Sequence, residues 1–266
     1  MPDVAYLRPR SLAEAVRIYR ETEGCKPLAG GTDLMVMLHA GSLRPAPSSL
    51  IDLWSLKELK GVRKADGHLE IGAAESYTGI IRSPLVAQHL PALAAVSRTI
   101  GAAQIQNRGT LGGNLANASP AGDTLPVLLA LDAEIVTDRR AIAIADFFAG
   151  YRKTALQSDE LIVAVRVPLN GRVVRFRKVG TRAAQAISKV ILAVSREPAR
   201  IAVGSVAEVP LRAPAAEAAL ARGDVDGAVA AIATDIRPID DVRSTAAYRL
   251  AVTRNVLRDL LSNGRE

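Results

Sequence analysis

The sequence predicts an α+β protein built in two parts, residues 1–170 and residues 171–266. Three observations carry this prediction. Helical and extended patterns alternate along the chain without an internal repeat. A Pro-Leu-Asn-Gly cluster at 168–171 is typical of a turn between domains. The 266 residues, 49% of them hydrophobic, suffice for one large core or two ordinary ones.

Composition argues against several classes of protein. The chain has no apolar run long enough to span a membrane, and its N-terminus lacks the pattern of a secretory signal, so we expect a cytoplasmic protein. Cys25 is the only cysteine and the histidines are scattered, so we expect no disulfide, iron–sulfur cluster or metal site within this chain. The net charge is +7, but the arginines are dispersed and aromatic residues make up only 3%, so we do not expect nucleic-acid binding.

The first part should alternate short strands and helices. Ser11 and Glu14 have capping-box spacing and start a helix over "SLAEAVRIYRE". Asp66-Gly67 supplies the turn of a hairpin in "VRKADGHLEIGA". Further strands are predicted at "KPLA", "SLIDLW" and "AEIVT", and helices at "DLMVMLHA", "LVAQHLPALAAVSRTIG" and "TLPVLLALDA". The last strand, "DELIVAVRVP", should place four side chains on one face: Leu161, Val163, Val165 and Val167.

The second part should begin with a basic strand, followed by a helix over "AAQAISKVILAV", a strand at "RIAVGSVA" and a helix at "APAAEAALA". A final amphipathic helix, "TAAYRLAVTRNVLRDLL", should turn its leucines inward, namely Leu250, Leu257, Leu260 and Leu261. The basic strand allows two interpretations, a solvated strand edge or a site for phosphates or an acidic partner. Its cations are Arg172, Arg175, Arg177, Lys178 and Arg182.

Two diglycine segments are the strongest signals of a binding site. In "PLAGGTDL", Pro27 to Leu34, a predicted strand leads into a glycine turn that precedes a helix. A second diglycine turn, "TLGGN", follows about 80 residues later. Glycine lets a ligand approach the backbone closely, and successive N–H groups near a helix start can bind an anion such as a pyrophosphate. Each segment alone also fits an ordinary tight turn. Neither has the pattern of a P-loop or of a Rossmann nicotinamide site.

Taken together, the two segments suggest a clamp around one long ligand. A dinucleotide fits this description, because its pyrophosphate lies between two nucleosides. Asp123, which follows the second segment, would then accept hydrogen bonds from a ribose.

Five segments, in order, resemble the FAD-binding medium subunit of the molybdenum hydroxylases, the family of xanthine dehydrogenase, aldehyde oxidoreductase and carbon monoxide dehydrogenase. They are "AGGTDL", "NRGTLGGNLANASPAGD", "LPVLLALDAEI", "RKVGTRAAQAISKV" and "DDVRSTAAYR". The resemblance implies a PCMH-type FAD-binding region of two α/β subdomains in 1–170. It also implies a small α/β C-terminal domain with an antiparallel sheet in 171–266. Family members usually carry a longer hairpin than this chain has near 195–200.

The resemblance also implies a function in electron transfer. FAD would be bound without a covalent link, whereas molybdopterin would lie in a large partner subunit and two [2Fe–2S] clusters in a small one. Such complexes would be dimers of heterotrimers. Electrons would leave the flavin for NAD, oxygen or another carrier. The flavin performs this chemistry, so we expect no catalytic side chain.

Cofactor contacts are assigned by position from the same resemblance. The two diglycine segments would hold the pyrophosphate from opposite sides, Asp123 would bind the adenosine side, and Ile100 and Ile162 would make apolar contacts. Lys178 would lie near the flavin, where a cation favours the reduced anionic form. The full set is Pro27, Leu28, Ala29, Gly30, Gly31, Thr32, Asp33, Leu34, Ile100, Thr110, Leu111, Gly112, Gly113, Asn114, Asp123, Ile162 and Lys178.

Two other functions stay open on the sequence alone. A stand-alone reductase similar to UDP-N-acetylenolpyruvylglucosamine reductase also uses two glycine loops, although its second loop more typically ends in Gly-Gly-Ala where this chain has Asn114. A non-enzymatic nucleotide-binding module would agree with the lack of catalytic acids and bases.

Overall fold

The computed structural model describes residues 4–183 and 185–262. Its strands are β1 Ala5–Leu7, β2 Cys25–Leu28, β3 Ser49–Asp52, β4 Val62–Ala65, β5 His68–Gly72, β6 Glu134–Thr137, β7 Ala141–Ala143, β8 Phe148–Gly150, β9 Lys153–Thr154, β10 Ile162–Pro168, β11 Arg175–Val179, β12 Val190–Ser195, β13 Arg200–Gly204 and β14 Leu211–Arg212. Its helices are α1 Leu12–Glu21, α2 Leu34–His39, α3 Tyr77–Arg82, α4 Pro84–His89, α5 Pro91–Ser97, α6 Ala103–Arg108, α7 Leu111–Asn117, α8 Thr124–Ala130, α9 Pro214–Ala221, α10 Val225–Asp235 and α11 Ala246–Ser262.

The N-terminal subdomain is a parallel sheet in the order β1-β3-β2, with α1 against it. As predicted, Ser11 caps α1, because its hydroxyl accepts the Glu14 N–H at 3.1 Å. The Glu14 carboxylate reaches back to the Arg10 N–H at 2.7 Å. The carboxyl ends of the parallel strands share one edge of the sheet, the edge where open α/β sheets bind ligands. The first diglycine segment leaves β2 at that edge.

The second subdomain is built on a sheet in the order β4-β5-β10-β6-β7. The predicted hairpin of β4 and β5 is confirmed, and both turn residues, Asp66 and Gly67, have positive φ. The prediction of one shared face on β10 is wrong. The pairing with β6 shifts between Ile162 and Ala164, a bulge that turns the strand.

The bulge divides the β10 side chains between two clusters. Leu161 and Val163 pack under the parallel sheet, whereas Val165, Val167 and also Ile162 enter the main core. That core lies between the five-stranded sheet and the helices. Helix α8 is buried along its whole length and packs against both the second subdomain and the C-terminal sheet.

The C-terminal sheet is antiparallel in the order β11-β12-β13-β14. The predicted helix over 183–194 is wrong, because 190–195 form strand β12, buried on both faces (Ala184 lies outside the described residues). Alternate side chains of β12 face α8 on one side and the α9–α11 layer on the other. A fully buried strand has a continuous apolar run, which does not distinguish it from a buried helix. The short connection 196–199 closes a regular hairpin that pairs Ser195 with Arg200.

The other C-terminal predictions agree with the structure. Strand β13 and helices α9 and α11 form where expected. Leu257, Leu260 and Leu261 are buried, and Leu250 packs half-buried at the edge of the same cluster. The predicted division at 170 falls between β10, in the second subdomain, and β11, in the C-terminal sheet.

A charged cluster links the C-terminal sheet to the subdomain before it. The Asp132 carboxylate contacts Arg172 at 2.7 Å, Arg200 at 2.9 Å and Arg212 at 3.3 Å. Burial acts to raise the pKa of Asp132, but the hydrogen bonds from Arg200 and Arg172 outweigh it and lower that pKa. These ion pairs therefore favour one relative orientation of the C-terminal sheet and the second subdomain.

A buried carboxylate gives a pH-dependent prediction. Hydrogen bonds from Arg140, together with those from the Gln157 N–H and the Thr137 hydroxyl, lower the pKa of Glu160 from 4.5 to about 2. A lowered pKa stabilises the fold above the unfolded value and loses this effect as the pH falls through the folded value. Glu160→Gln should lower the free energy of unfolding at pH 7 by about 1–2 kcal/mol, a discounted value because Arg140 faces solvent.

Urea titrations of the wild type and Glu160→Gln at several pH values measure this. The difference between the two proteins should shrink from pH 4.5 towards pH 2. Glu21→Gln, which breaks an exposed pair with Arg17, is the matched control and should change little at any pH. A Glu160→Gln effect that is constant with pH would contradict the assignment.

Candidate functional site

The first diglycine segment presents unused hydrogen-bond donors. Within the described part of the chain, the five backbone N–H groups from Ala29 to Asp33 donate no hydrogen bond. Gly31 has φ +77°, a conformation that favours glycine. Consecutive free N–H groups at such a turn form a concavity that binds anions. The segment can therefore hold a phosphate or pyrophosphate.

The second diglycine segment differs from the prediction, because it is the first turn of α7. The Thr110 hydroxyl caps the helix by accepting the Gly113 N–H at 3.1 Å. The N–H groups of Leu111 and Gly112 donate to the carbonyls of Glu75 and Ala73. The N–H groups of Leu111 to Asn114 are thus already used within the protein. The Leu111 side chain is fully buried in the core, and the contact of this residue with a cofactor stays a prediction.

Gly112 serves packing in this structure. A Cβ atom at this position would lie 2.7 Å from both the Cβ and the carbonyl oxygen of Ala73. Gly112 therefore permits a close approach of α7 to the end of β5, and its role at a pyrophosphate stays a prediction.

This packing gives a second prediction. Gly112→Ala should lower the free energy of unfolding by about 1–3 kcal/mol, the usual cost of overpacking. Gly113→Ala is the control, because its Cβ would meet only the Thr110 hydroxyl, at 2.8 Å. Thermal unfolding of the FAD-free proteins measures both, and equal melting temperatures for Gly112→Ala and the wild type would contradict the packing role.

The first segment contacts the chain on both sides of the second segment. A Cβ on Gly30 would lie 1.8 Å from the carbonyl oxygen of Arg108, so only glycine allows the first segment to rest on the chain before α7. A second contact joins them, from the Asn117 amide to the Asp33 carboxylate at 3.1 Å. The prediction that both segments border one site agrees with this geometry.

Asp123 and Lys178 form a buried ion pair between the two parts of the chain. Lys178 Nζ lies 2.6 Å from an Asp123 oxygen and donates to the Thr99 carbonyl at 2.9 Å. Ser188 donates its hydroxyl to the other Asp123 oxygen. Burial raises the pKa of Asp123, and Lys178 and Ser188 oppose that rise. The pair is neutral as a whole, which weakens the predicted effect of the Lys178 charge on a flavin.

A cleft of about 740 Å³ lies between the two parts of the chain and collects several of the predicted residues. They are Asp33, Ile100, Asn114 and Asp123. Ile162 is buried in the main core and does not line the cleft, and its contact with the cofactor stays a prediction. Lys178 lies behind Asp123, with its side chain 11% exposed.

The C-terminal wall of the cleft was missed by the sequence analysis. Arg249 is 3% exposed and donates to the carbonyls of Lys189 and Ser205 and to the Asp241 carboxylate, at 2.7–2.8 Å. It thereby fixes three segments of the wall. One sequence signal was available. Arg249 and Thr253 precede Leu257 at four-residue spacing on the inward face of α11, and both are buried.

The described residues form neither a metal site nor a membrane-spanning helix. Among the described residues, no group of three or more histidine, cysteine or acidic side chains is placed to hold a metal ion. Of the helices in this part of the chain, none is long and apolar enough to cross a membrane.

Comparison with known proteins identifies the family of this chain. Residues 2–170 match the family described as the FAD-binding domain in molybdopterin dehydrogenase, and residues 175–263 match the CO dehydrogenase flavoprotein C-terminal domain. The chain belongs to this family. The predicted family, the mixed α and β fold with an antiparallel C-terminal sheet, and FAD as the cofactor are confirmed.

The sequences of relatives align with this flavoprotein over nearly its whole length. It is 32% identical to the glyceraldehyde dehydrogenase medium chain of Sulfolobus acidocaldarius over 95% of both chains. It is 31% identical to the putative xanthine dehydrogenase FAD-binding subunit of Escherichia coli, over 97% of this chain and 94% of that one. A solved structure of carbon monoxide dehydrogenase from Hydrogenophaga pseudoflava, lacking the Mo-pyranopterin moiety, superposes with a TM-score of 0.92 at 31% identity, covering 98% and 96% of the two chains. The chain is thus an FAD-binding oxidoreductase subunit of the molybdenum hydroxylase family.

Proposed function

We propose that the cleft binds one FAD without a covalent link, with the pyrophosphate against the N–H groups of Ala29 to Asp33. The free donors of this segment carry the proposal, because nothing else in the described structure uses them. The cleft volume of about 740 Å³ falls in the range of ligand pockets and suits a dinucleotide. The residues present therefore fit the group.

The remaining predicted residues take different roles in this proposal. Asn114, Asp123 and Ile100 line the cleft and would contact the cofactor directly. Asp123 and Lys178 would meet the same part of the cofactor, because their ion pair holds them at one point. Arg108, just before α7, would support Gly30 from behind, and Asn117, at the end of α7, would support Asp33.

We further propose that the chain works between two partner subunits, a large one with molybdopterin and a small one with [2Fe–2S] clusters, in a dimer of heterotrimers in the cytoplasm. The relatives are named as a medium chain and an FAD-binding subunit, which supports a division of labour among chains. When bound, the flavin accepts electrons from the clusters and passes them to NAD, oxygen or another carrier. The residues of this chain bind the cofactor, orient it and exclude water from its buried side.

Co-purification tests this arrangement. When a tagged chain is expressed in the organism that encodes it and then purified, partner subunits that carry iron, sulfide and molybdopterin should purify with it. In that complex, but not in the isolated chain, oxidation of an organic substrate should bleach the flavin absorbance. Direct NADPH-dependent turnover of a substrate by the isolated chain would contradict the proposal and favour the stand-alone reductase.

A further inference from the structure

The tip of the β8–β9 hairpin has a constrained conformation at the open end of the cleft. The strands Phe148–Gly150 and Lys153–Thr154 pair with a register shift, and Tyr151 and Arg152 form the tip. Arg152 has φ +53°, which costs a non-glycine residue free energy, and Gly150 has φ +150°. Such a turn persists only where surrounding contacts fix it.

Hydrogen bonds fix this tip from both sides of the cleft. The Tyr151 N–H donates to a Glu208 carboxylate oxygen at 2.9 Å, on the C-terminal side. Arg152 Nη1 donates to the Asn117 side-chain oxygen at 2.7 Å, and Asn117 in turn holds Asp33. The tip is therefore two hydrogen bonds away from the segment that would hold the pyrophosphate.

The anchored tip presents an aromatic ring and a cation to the cleft. Tyr151 lines the cleft, yet 57% of it is exposed. Arg152 also lines the cleft; its hydrogen bond goes to a neutral amide, and within the described residues it forms no ion pair. It differs in this respect from Lys178, which Asp123 neutralises. Neither side chain contributes to a hydrophobic cluster, so packing does not explain their position.

We propose that Tyr151 and Arg152 form a contact site for the isoalloxazine ring of FAD, with the phenol against the ring and the guanidinium near its edge. This inference rests on the proposed function. With the pyrophosphate at Ala29–Asp33, the two halves of the dinucleotide extend in opposite directions. The adenosine half lies towards the buried Asp123, and the flavin half lies towards the open tip, where electron donors and acceptors reach it.

Substitution of Tyr151 tests the ring contact. Tyr151→Ala should weaken FAD binding about 2–12-fold, the equivalent of an aromatic contact of about 0.5–1.5 kcal/mol. It should also shift the visible absorption bands of the bound flavin, because the ring gains solvent. Tyr151→Phe keeps the ring and should stay within twofold of the wild-type Kd. Tyr248→Ala is the matched control, an exposed tyrosine, 43% accessible and outside the cleft, and should change neither quantity.

Glu208 provides a positioning test of the same site. Glu208→Ala should reproduce part of the Tyr151→Ala effect by releasing the tip, and Glu208→Gln should rescue it, because the amide oxygen still accepts the Tyr151 N–H. Arg152→Gln keeps a polar side chain that can donate a hydrogen bond but removes the charge. It should make the reduction potential of the bound flavin more negative, since a nearby cation favours the reduced form.

The outcomes separate this inference from the function on which it rests. A Tyr151→Ala protein with wild-type affinity and spectrum overturns the contact site. Weaker binding with an unchanged flavin spectrum also overturns it, because the contact would then lie on another part of the cofactor. A wild-type chain that binds no FAD overturns the proposed function instead.

Discussion

Asp123→Ala should lower the free energy of unfolding of the FAD-free chain by about 3–5 kcal/mol. The substitution leaves the Lys178 ammonium, whose side chain is 11% exposed, without its carboxylate, and removes the acceptor of the Ser188 hydroxyl. Breaking a buried pair by removing one partner costs this much because the remaining charge stays desolvated. Urea denaturation at pH 7 measures the loss.

Two controls separate the buried charge from lost contacts. Replacing both partners, Asp123→Leu with Lys178→Met, should cost much less than the sum of the single changes, because no charge is left unpaired. Arg17→Ala, which breaks a pair with both side chains about 60% exposed, should cost less than about 1 kcal/mol. An Asp123→Ala protein within about 1 kcal/mol of the wild type would contradict the role of the pair.

Gly30→Ala should weaken FAD binding about 100-fold. Its Cβ would lie 1.8 Å from the Arg108 carbonyl oxygen, a backbone atom that cannot rotate away, so the segment must move. This movement turns the N–H groups of Ala29 to Asp33 away from the phosphate. The loss of two hydrogen bonds to a phosphate, at about 1.5 kcal/mol each, corresponds to the expected 100-fold weakening of FAD binding. Calorimetric titration of the FAD-free protein measures it.

Gly41→Ala is the matched control for this change. Gly41 has a positive φ, +59°, which Gly30 does not, and its Cβ would meet no atom within 4 Å. The substitution should cost some stability through backbone strain while leaving the FAD Kd unchanged. If Gly30→Ala binds FAD as tightly as Gly41→Ala, the close contact between the two segments does not shape the binding site.

Local signals in the sequence predicted local structure well. Ser11 and Glu14 act within one helical turn, and Asp66-Gly67 acts within one hairpin, so neighbouring residues determine both outcomes. The helix predicted over 183–194 was wrong because burial of β12 on both faces depends on α8 and on the C-terminal helices. The bulge of β10 likewise depends on its pairing with β6.

The sequence indicated which segments border the candidate site, but not which of their backbone groups are free to bind a ligand. The glycine pattern indicated both segments, and Gly30 does lie against the chain before α7. The pattern did not show that Glu75 and Ala73 take the donors of the second segment, because those carbonyls come from a different part of the chain. The pairing of Asp123 with Lys178, 55 residues apart, was equally invisible before folding.

The tip residues Tyr151 and Arg152 carry no glycine-rich or charged pattern. Their place at the cleft follows from the anchors at Glu208 and Asn117, which only the folded chain brings together. The resemblance to the molybdenum hydroxylase flavoproteins identified the cofactor, and the structure indicates which groups are free to bind it.

Calorimetric titration of the FAD-free chain with FAD tests the central claim most directly. The account predicts one FAD bound per chain, a yellow protein, and release of unmodified FAD on acid treatment. A chain that stays colourless and gives no binding heat with added FAD would contradict it.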